Sequence, residues 1–340
     1  MRRILIIGGN RYMGYGLVWR LLAAGDRVTT VNRGLHADPF ADRIERLHAD
    51  RRTQAFAEAL RGRTFDAVVD FAAFDRVDAQ GAVAALHDRV GHYVFISTGS
   101  VYMSLEGVSH PCSRPMPETA YAGKVMPVPE EQADYPNWRY GTGKRAAEDT
   151  LMAAWSARRF PATCLRLPSV IGELDPDRRI ENYLWRILDG GPVLLPDGGE
   201  NTASHAYCGS VVRAIGGVLG RESTFGEAFN ISQDECPTVR ALVAMLADLI
   251  GAPDRALSIG SNVMIEAGLA PRTISPFSAA WASWLDPARA KAELGFCHEP
   301  LTQYLDKIVG DFLNHPPATP PEEYAGRAAE LELARRSAPA

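Results

Sequence analysis

Cysteine is sparse in this chain of 340 residues, and Cys112, Cys164, Cys208, Cys236 and Cys297 are scattered, odd in number and nowhere spaced C-x-x-C. That pattern excludes a disulfide framework and a thiolate zinc site. The isolated thiols read as the reduced cysteines of a cytoplasmic protein. Long hydrophobic runs are missing too. The opening "MRRILIIGG" pairs two arginines with an apolar stretch of only four or five residues before glycines begin, too short for a secretory core or a membrane span, so it reads as a buried strand. Nor is there an excess of positive charge. The 36 Lys and Arg against 41 Asp and Glu leave a formal net charge of -5, with no basic run, and so no general attraction for nucleic acid or an anionic membrane. No segment repeats at a fixed period. A small-molecule substrate is the partner class that remains, and the sequence leaves a homodimer open.

With 46% hydrophobic and 23% charged residues the composition is that of a globular protein. Four apolar runs rich in branched residues recur early: "ILIIG" (4–8), "RVTTVN" (27–32), "DAVVDFA" (66–72) and "YVFIS" (93–97). Helix-compatible stretches at 15–25 and 76–88 separate them. Strand and helix alternate, which predicts an α/β fold with a doubly wound parallel sheet of the Rossmann type. Further strands are expected at 162–172 and 227–232, and helices at 144–157 and 238–251. The expected organisation is a dinucleotide-binding domain over 1–170, which also receives elements near 205–232, and a smaller substrate-binding lobe over 171–315. From 316 to 340 the composition turns to proline, then charge and alanine, and reads as a tail with one short helix and poor order at its end.

Directly after the first strand comes "GGNRYMGYG", which sets Gly8, Gly9 and Gly14, with Asn10, Arg11, Tyr12 and Met13 between them, at a strand-to-helix turn. Glycines there let a pyrophosphate approach the helix amino terminus, where free N–H groups and the helix dipole favour anions. The second strand ends in Asn32 and Arg33. An NAD-specific protein usually places an acid there for the ribose; an asparagine and a guanidinium accept a 2'-phosphate instead, which favours NADP over NAD. Asp50, with Arg51 beside it, follows a short strand where an acid can meet the adenine amino group.

The fourth apolar run continues as "FISTGSVY", which offers Ser97, Thr98 and Ser100 at the carboxyl end of a central strand, and "YGTGK" sets Tyr140 four residues before Lys144. At that spacing both side chains leave the same face of a helix. A phenol of pKa ~10 is a poor base near neutrality, and a neighbouring ammonium favours its phenolate. Tyr140 can then exchange a proton with a substrate hydroxyl while hydride moves at the adjoining carbon.

The glycine loop, the hydroxyl-bearing strand end and the Tyr–Lys pair resemble the short-chain dehydrogenase/reductase superfamily in its extended, epimerase/dehydratase-like branch. Later landmarks match in order through "LRLPSVIG" (165–172), "DGGPVLLPDGGEN" (189–201), "FNIS" (229–232) and "WLDPARAKAELGF" (284–296). The resemblance implies an NAD(P)-dependent enzyme acting on a secondary alcohol or ketone of a sugar-like metabolite, with Thr98 rather than Ser97 as the catalytic hydroxyl. It implies that Phe71, Ala72 and Ala73 line the cofactor and that Pro168 to Val170 contact the nicotinamide. The chain departs from the pattern in three places. Arg11 stands at the middle glycine of the loop, and Gly99 and Ser100 replace the acid–base pair that would favour dehydration. "ASHAYCGS" has Ala203 where the branch carries an arginine for a substrate pyrophosphate. The candidate substrate contacts are therefore Ser100, Tyr102, Asn182, Arg186 and His205. The long segment between Thr98 and Tyr140 is expected to form a flap at the pocket mouth.

Two alternatives compete with the epimerase-like reading. One is an NADPH-dependent ketoreductase. The other is RNA binding, because "VNRG", the altered glycine loop and the missing arginine make the amino-terminal half similar to the chloroplast stem-loop-binding proteins. The net negative charge and the Thr–Tyr–Lys set stand against it.

Overall fold

The computed structural model describes residues 1–337. Strand β1 (Arg3–Ile7) leads through α1 (Tyr12–Ala23) to β2 (Arg27–Asn32) and β3 (Glu45–His48). Then come α2 (Gln54–Ala59), β4 (Ala67–Asp70), α3 (Arg76–Leu86), β5 (Tyr93–Thr98), the short α4 (Ser100–Met103) and the long α5 (Tyr135–Arg158). β6 (Ala162–Leu167), β7 (Ser169–Ile171), α6 (Arg179–Leu188), β8 (Val193–Pro196), β9 (His205–Tyr207), α7 (Cys208–Val218) and β10 (Glu227–Asn230) follow. The chain continues through α8 (Val239–Ile250), β11 (Ala256–Ile259), α9 (Ser261–Glu266), α10 (Pro271–Ile274), α11 (Leu301–Asn314) and α12 (Arg327–Ser337).

Seven strands form one sheet in the order β10-β6-β5-β4-β1-β2-β3, and every pairing in it is parallel. The central strands are apolar on both sides because helices cover both faces. Ile4, Ile6, Val69 and Ile96 pack with α1 and α7, while Leu5, Val68, Tyr93 and Phe95 pack with α3 and α5. The expected run 162–172 is two strands. Pro168 has no N–H to give a ladder, so the chain leaves the sheet there and β7 pairs with β9 instead.

The lobe has its own core, in which Tyr183, Leu184, Leu242, Leu246, Tyr304 and Ile308 bring α6, α8 and α11 together. The carboxyl-terminal segment docks on it. α12 buries Leu333 and Ala334 against Leu194, Ile259 and Met264, and Glu330 sits fully buried on Arg186 at 2.6 Å. The expectation of poor order at the end of the tail bears on its last residues, of which 338–340 lie outside the described residues. The segment expected to be a flap differs from that reading. It packs around Tyr102, Met103, Leu105, Cys112 and Met116 and is tied to β10, where Asn230 donates to the Met116 carbonyl at 2.9 Å. Nothing between 103 and 139 lines the cleft.

No helix among the described residues is long and apolar enough to cross a membrane.

Candidate active site

A cleft runs along the carboxyl ends of the strands as two adjoining cavities of about 350 and 730 Å³, which share Asn10, Arg33, His36, Ala72 and Phe74. The glycine loop forms its base. Gly8 and Gly9 hold φ of 90° and 86°, the left-handed region that side chains disfavour. A methyl on Gly14 would collide with the backbone of Gly9, so α1 can start this close to β1 only with glycine there. No side chain caps the first turn of α1, which leaves its N–H groups facing the cleft, and Arg11 is exposed beside them. These features fit a dinucleotide pyrophosphate.

At the smaller end Asn32 accepts from the Gly34 N–H at 2.8 Å. Arg33 is exposed on the rim with no ion-pair partner among the described residues. Asp50 lines the same cavity. Arg51 also lines it, but its guanidinium is committed to Asp70 at 2.8 Å and to the Asp78 carboxylate and carbonyl. Phe71 and Ala72 line the larger cavity. Ala73 does not: it is fully buried under the sheet, and its N–H donates to Asp70. Phe74 takes its place in the wall.

The catalytic candidates converge in the larger cavity. Thr98 ends β5, and its Oγ1 lies 3.2 Å from the Ser100 hydroxyl. Tyr140 and Lys144 stand one turn apart inside α5, which begins nine residues before the helix start expected at 144. The glycine after Tyr140 explains the tight approach, since a side chain on Gly141 would strike the Ser100 carbonyl. Lys144 is 3% exposed and donates to the Ile96 carbonyl at 2.8 Å, with its nitrogen over the rings of Phe95 and Phe74. Burial pulls its pKa down to about 8, opposed by Asp70 and Glu148. Tyr140 is 40% exposed, with its ring beside Phe74. Among the chain's own groups, burial raises its pKa and the Thr98 hydroxyl acts in the opposite direction. The expected depression by the ammonium is thus not produced by the chain alone, because Lys144 is turned toward β5.

Behind this row lies a buried network that the motifs did not reveal. Arg166 on β6 pairs with Glu148 at 2.6 Å, Glu148 accepts from Ser97, and Arg166 donates to the Tyr102 hydroxyl at 2.7 Å. Glu148 is one helical turn beyond Lys144, so the network holds α5 against β5 and β6.

Four expected substrate contacts are corrected. Tyr102 is fully buried, and its hydroxyl donates to Asn230 while accepting from Arg166. Asn182 and Arg186 lie inside the lobe, where Arg186 donates to Asn182 at 2.6 Å and pairs with Glu330. His205 is 0% exposed, with Nδ1 donating to the Ala203 carbonyl and Nε2 on Tyr304; burial lowers its pKa to about 4, so the ring is neutral. Ser100 alone of the five lines the cleft. Pro168 and Val170 line it as well, together with Ser169.

The wall residues missed by sequence reasoning are Asp175, Asp177, Arg179, Trp281 and Ser283, with His36 at the rim. The charged run "DPDRR", four residues past the end of β7, was a usable signal. The tryptophan had none, since only tertiary contact brings residue 281 to Thr98.

The family model for the NAD dependent epimerase/dehydratase family matches residues 4–232. Among characterised proteins, the chain is 25% identical over 268 residues to the chloroplast stem-loop binding protein of 41 kDa b of Arabidopsis thaliana, covering 74% of this chain and 64% of that protein. It is 26% identical over 269 residues to the 2'-dehydrokanamycin reductase of Streptomyces kanamyceticus, covering 76% and 69%. The chain therefore spans about two thirds of the length of these relatives. Among solved structures, the dTDP-glucose 4,6-dehydratase of Bacillus anthracis in complex with NAD superposes with a TM-score of 0.72 at 15% identity, over 93% of this chain and 98% of that one. The UDP-glucuronic acid 4-epimerase of Bacillus cereus, in complex with UDP-glucuronic acid and NAD, gives 0.70 at 18% identity, over 92% and 99%. At such identities these likenesses establish the fold. The family match over residues 4–232, most of the chain, shows that the chain belongs to the NAD dependent epimerase/dehydratase family.

Proposed function

We propose that the protein is a nicotinamide-dependent enzyme that oxidises and re-reduces a secondary alcohol of a sugar-like metabolite, in the manner of an epimerase. The observation that carries this reading is the single cleft that joins the glycine loop to Thr98, Tyr140 and Lys144. A bound dinucleotide would supply the hydride acceptor and donor. Gly8 to Gly14 would hold its pyrophosphate, and Phe71, Ala72 and Pro168 to Val170 its nicotinamide end. Tyr140 holds and moves the proton of the reacting hydroxyl, and Thr98 orients that oxygen. Lys144 keeps a positive charge beneath the site below pH ~8, the value to which burial brings it, and this charge favours the phenolate once a ligand draws the ammonium toward the cleft. Asn32 and the unpaired Arg33 support NADP over NAD.

The test is Tyr140→Phe. It should leave dinucleotide binding nearly intact and lower turnover by at least ~100-fold; retention of most activity removes the reading. In the same assays NADP should bind more tightly than NAD, and Arg33→Ala should erase that difference.

A second reading is reduction of a ketone with release of the oxidised cofactor. The reductase relative supports it; the absence of an acid–base pair after Thr98 argues against dehydration and does not separate reduction from epimerisation. Net, stoichiometric consumption of NADPH would favour it; inversion at carbon without net consumption would favour the epimerase. RNA binding, as in the name of the stem-loop relative, does not account for a lysine ammonium buried at the foot of the cleft.

A further inference from the structure

The segment between 103 and 139 contributes no side chain to the cleft, yet it holds one wall of it in place. The Met116 N–H donates to the Trp284 carbonyl at 2.8 Å, and the Met116 carbonyl accepts from the Asp286 N–H at 3.1 Å. Leu285 is fully buried with Tyr102, Met103 and Met116. The run 281–285 is thereby pressed onto the end of β5, so closely that a side chain on Gly99 would strike Ser283 and Leu285. Gly99 lies between Thr98 and Ser100, so this wall stands beside the proposed catalytic hydroxyl.

Trp281 is the large side chain that the wall presents to the cleft, and its indole is fixed from two sides by the same segment. The indole N–H donates to the Asp134 carboxylate at 2.7 Å, at the residue directly before α5. The His110 ring packs on the indole with 4.3 Å between centroids, and His110 is itself anchored, with Nε2 on the Met103 carbonyl at 2.9 Å. The N–H is the only hydrogen-bonding group an indole has. With it spent on Asp134, Trp281 has no hydrogen bond left for a ligand, and what it offers the cleft is an immobile carbon surface. Thr98 and Ser100 supply hydroxyls at the same place. Hydroxyls at one edge and a fixed apolar plane at another match a pyranose, whose O–H groups radiate from the rim while its C–H groups leave a face apolar.

We propose that Trp281 is a specificity-determining residue that stacks on the C–H face of the substrate's sugar ring, and that Asp134 and His110 are positioning residues that act through it. The segment 103–139 thus selects the substrate without touching it. The inference rests on reading the cleft as a dinucleotide-dependent alcohol or ketone site, and it states how that site grips the ring.

The test is a calorimetric titration of the full chain saturated with NADP, using UDP-glucose and maltotriose as sugars and UDP as a carrier without a sugar ring. Trp281→Ala should weaken each sugar that binds by ~10-fold or more and leave UDP unaffected, while Trp281→Phe, which keeps a ring, should stay within ~3-fold of the parent. Asp134→Ala should weaken the sugars by ~3–10-fold, and Asp134→Asn, which keeps an acceptor oxygen, should restore them. In the Trp281→Phe background there is no N–H to hold, so Asp134→Ala should have no further effect there. Equal sugar affinity in Trp281→Ala, an equal loss for UDP, an Asp134→Ala loss that persists in the Trp281→Phe background, or no binding of either sugar would each overturn the inference. NADP and NAD titrations of the parent protein, run first, keep this failure apart from failure of the functional reading, which is lost if neither dinucleotide binds.

Discussion

Lys144 shows how a single residue can be held at a cost for what it does later. Its ammonium is buried against one carbonyl and two rings, with a pKa near 8 against an ordinary 10.5. Below about pH 8 the group is charged in both the folded and the unfolded chain, and folding bears the full desolvation penalty. Between 8 and 10.5 the unfolded chain holds more protons than the folded one, so stability contributed at this position rises with pH until the penalty is gone. Lys144→Met should therefore stabilise the protein without ligand at pH 7 by an amount on the order of 1–3 kcal/mol and lose dinucleotide binding. That gain should shrink as urea melts are moved from pH 7 to pH 10.5. A gain independent of pH would mean that the ammonium bears no such penalty. The pair in "YGTGK" was legible because helical spacing alone puts Tyr140 and Lys144 on one face. The direction in which the lysine points was not legible, since it depends on the Ile96 carbonyl, which reaches it only through packing.

At the scale of elements, α5 decides the site, and it is held by more than its apolar face. Glu148 pairs with Arg166 on β6 and accepts from Ser97 on β5, so one buried carboxylate ties the helix that carries Tyr140 and Lys144 to these two strands. Glu148→Ala would leave the guanidinium of Arg166 uncompensated in the interior, which should cost about 3–5 kcal/mol in denaturant melts. Turnover of the folded remainder should fall as Tyr140 loses its register with Thr98. An unchanged melt would show that water replaces the carboxylate. The β–α alternation was readable because buried parallel strands are continuous branched runs. The network was not, because a glutamate on a helix and an arginine on a strand look like surface charges until the fold sets them face to face. For the same reason Tyr102, Asn182, Arg186 and His205 looked like polar groups for a ligand, yet their partners are Asn230, Thr273, Glu330 and Tyr304.

For the whole molecule, the carboxyl-terminal segment is part of the structure it follows. Arg327 pairs with Asp189 at 2.7 Å and with Glu330 at 2.9 Å, and Glu330 in turn neutralises Arg186. Proline and alanine-rich composition reads as a tail, but three ion pairs and a small apolar face make it a clasp on the lobe. A chain ending at His315 should lose about 3–5 kcal/mol of stability, because Arg186 is left buried and unpaired. Its dinucleotide affinity should hold, since no cleft residue comes from beyond Ser283. Equal urea midpoints for the full and shortened chains would contradict this.

The sequence by itself determined the parallel sheet, the glycine loop and the Thr–Tyr–Lys row, because each follows from local rules: strand hydrophobicity, the steric needs of a turn, and helical spacing. Only the tertiary structure decided which polar residues face the cleft. Whether a charge is a ligand contact or half of a buried pair depends on residues far away in the chain, as Arg186 depends on Glu330, 144 positions later. The cleft wall at Trp281 and Ser283 likewise arises where a distant loop meets Gly99, a contact that no local pattern encodes.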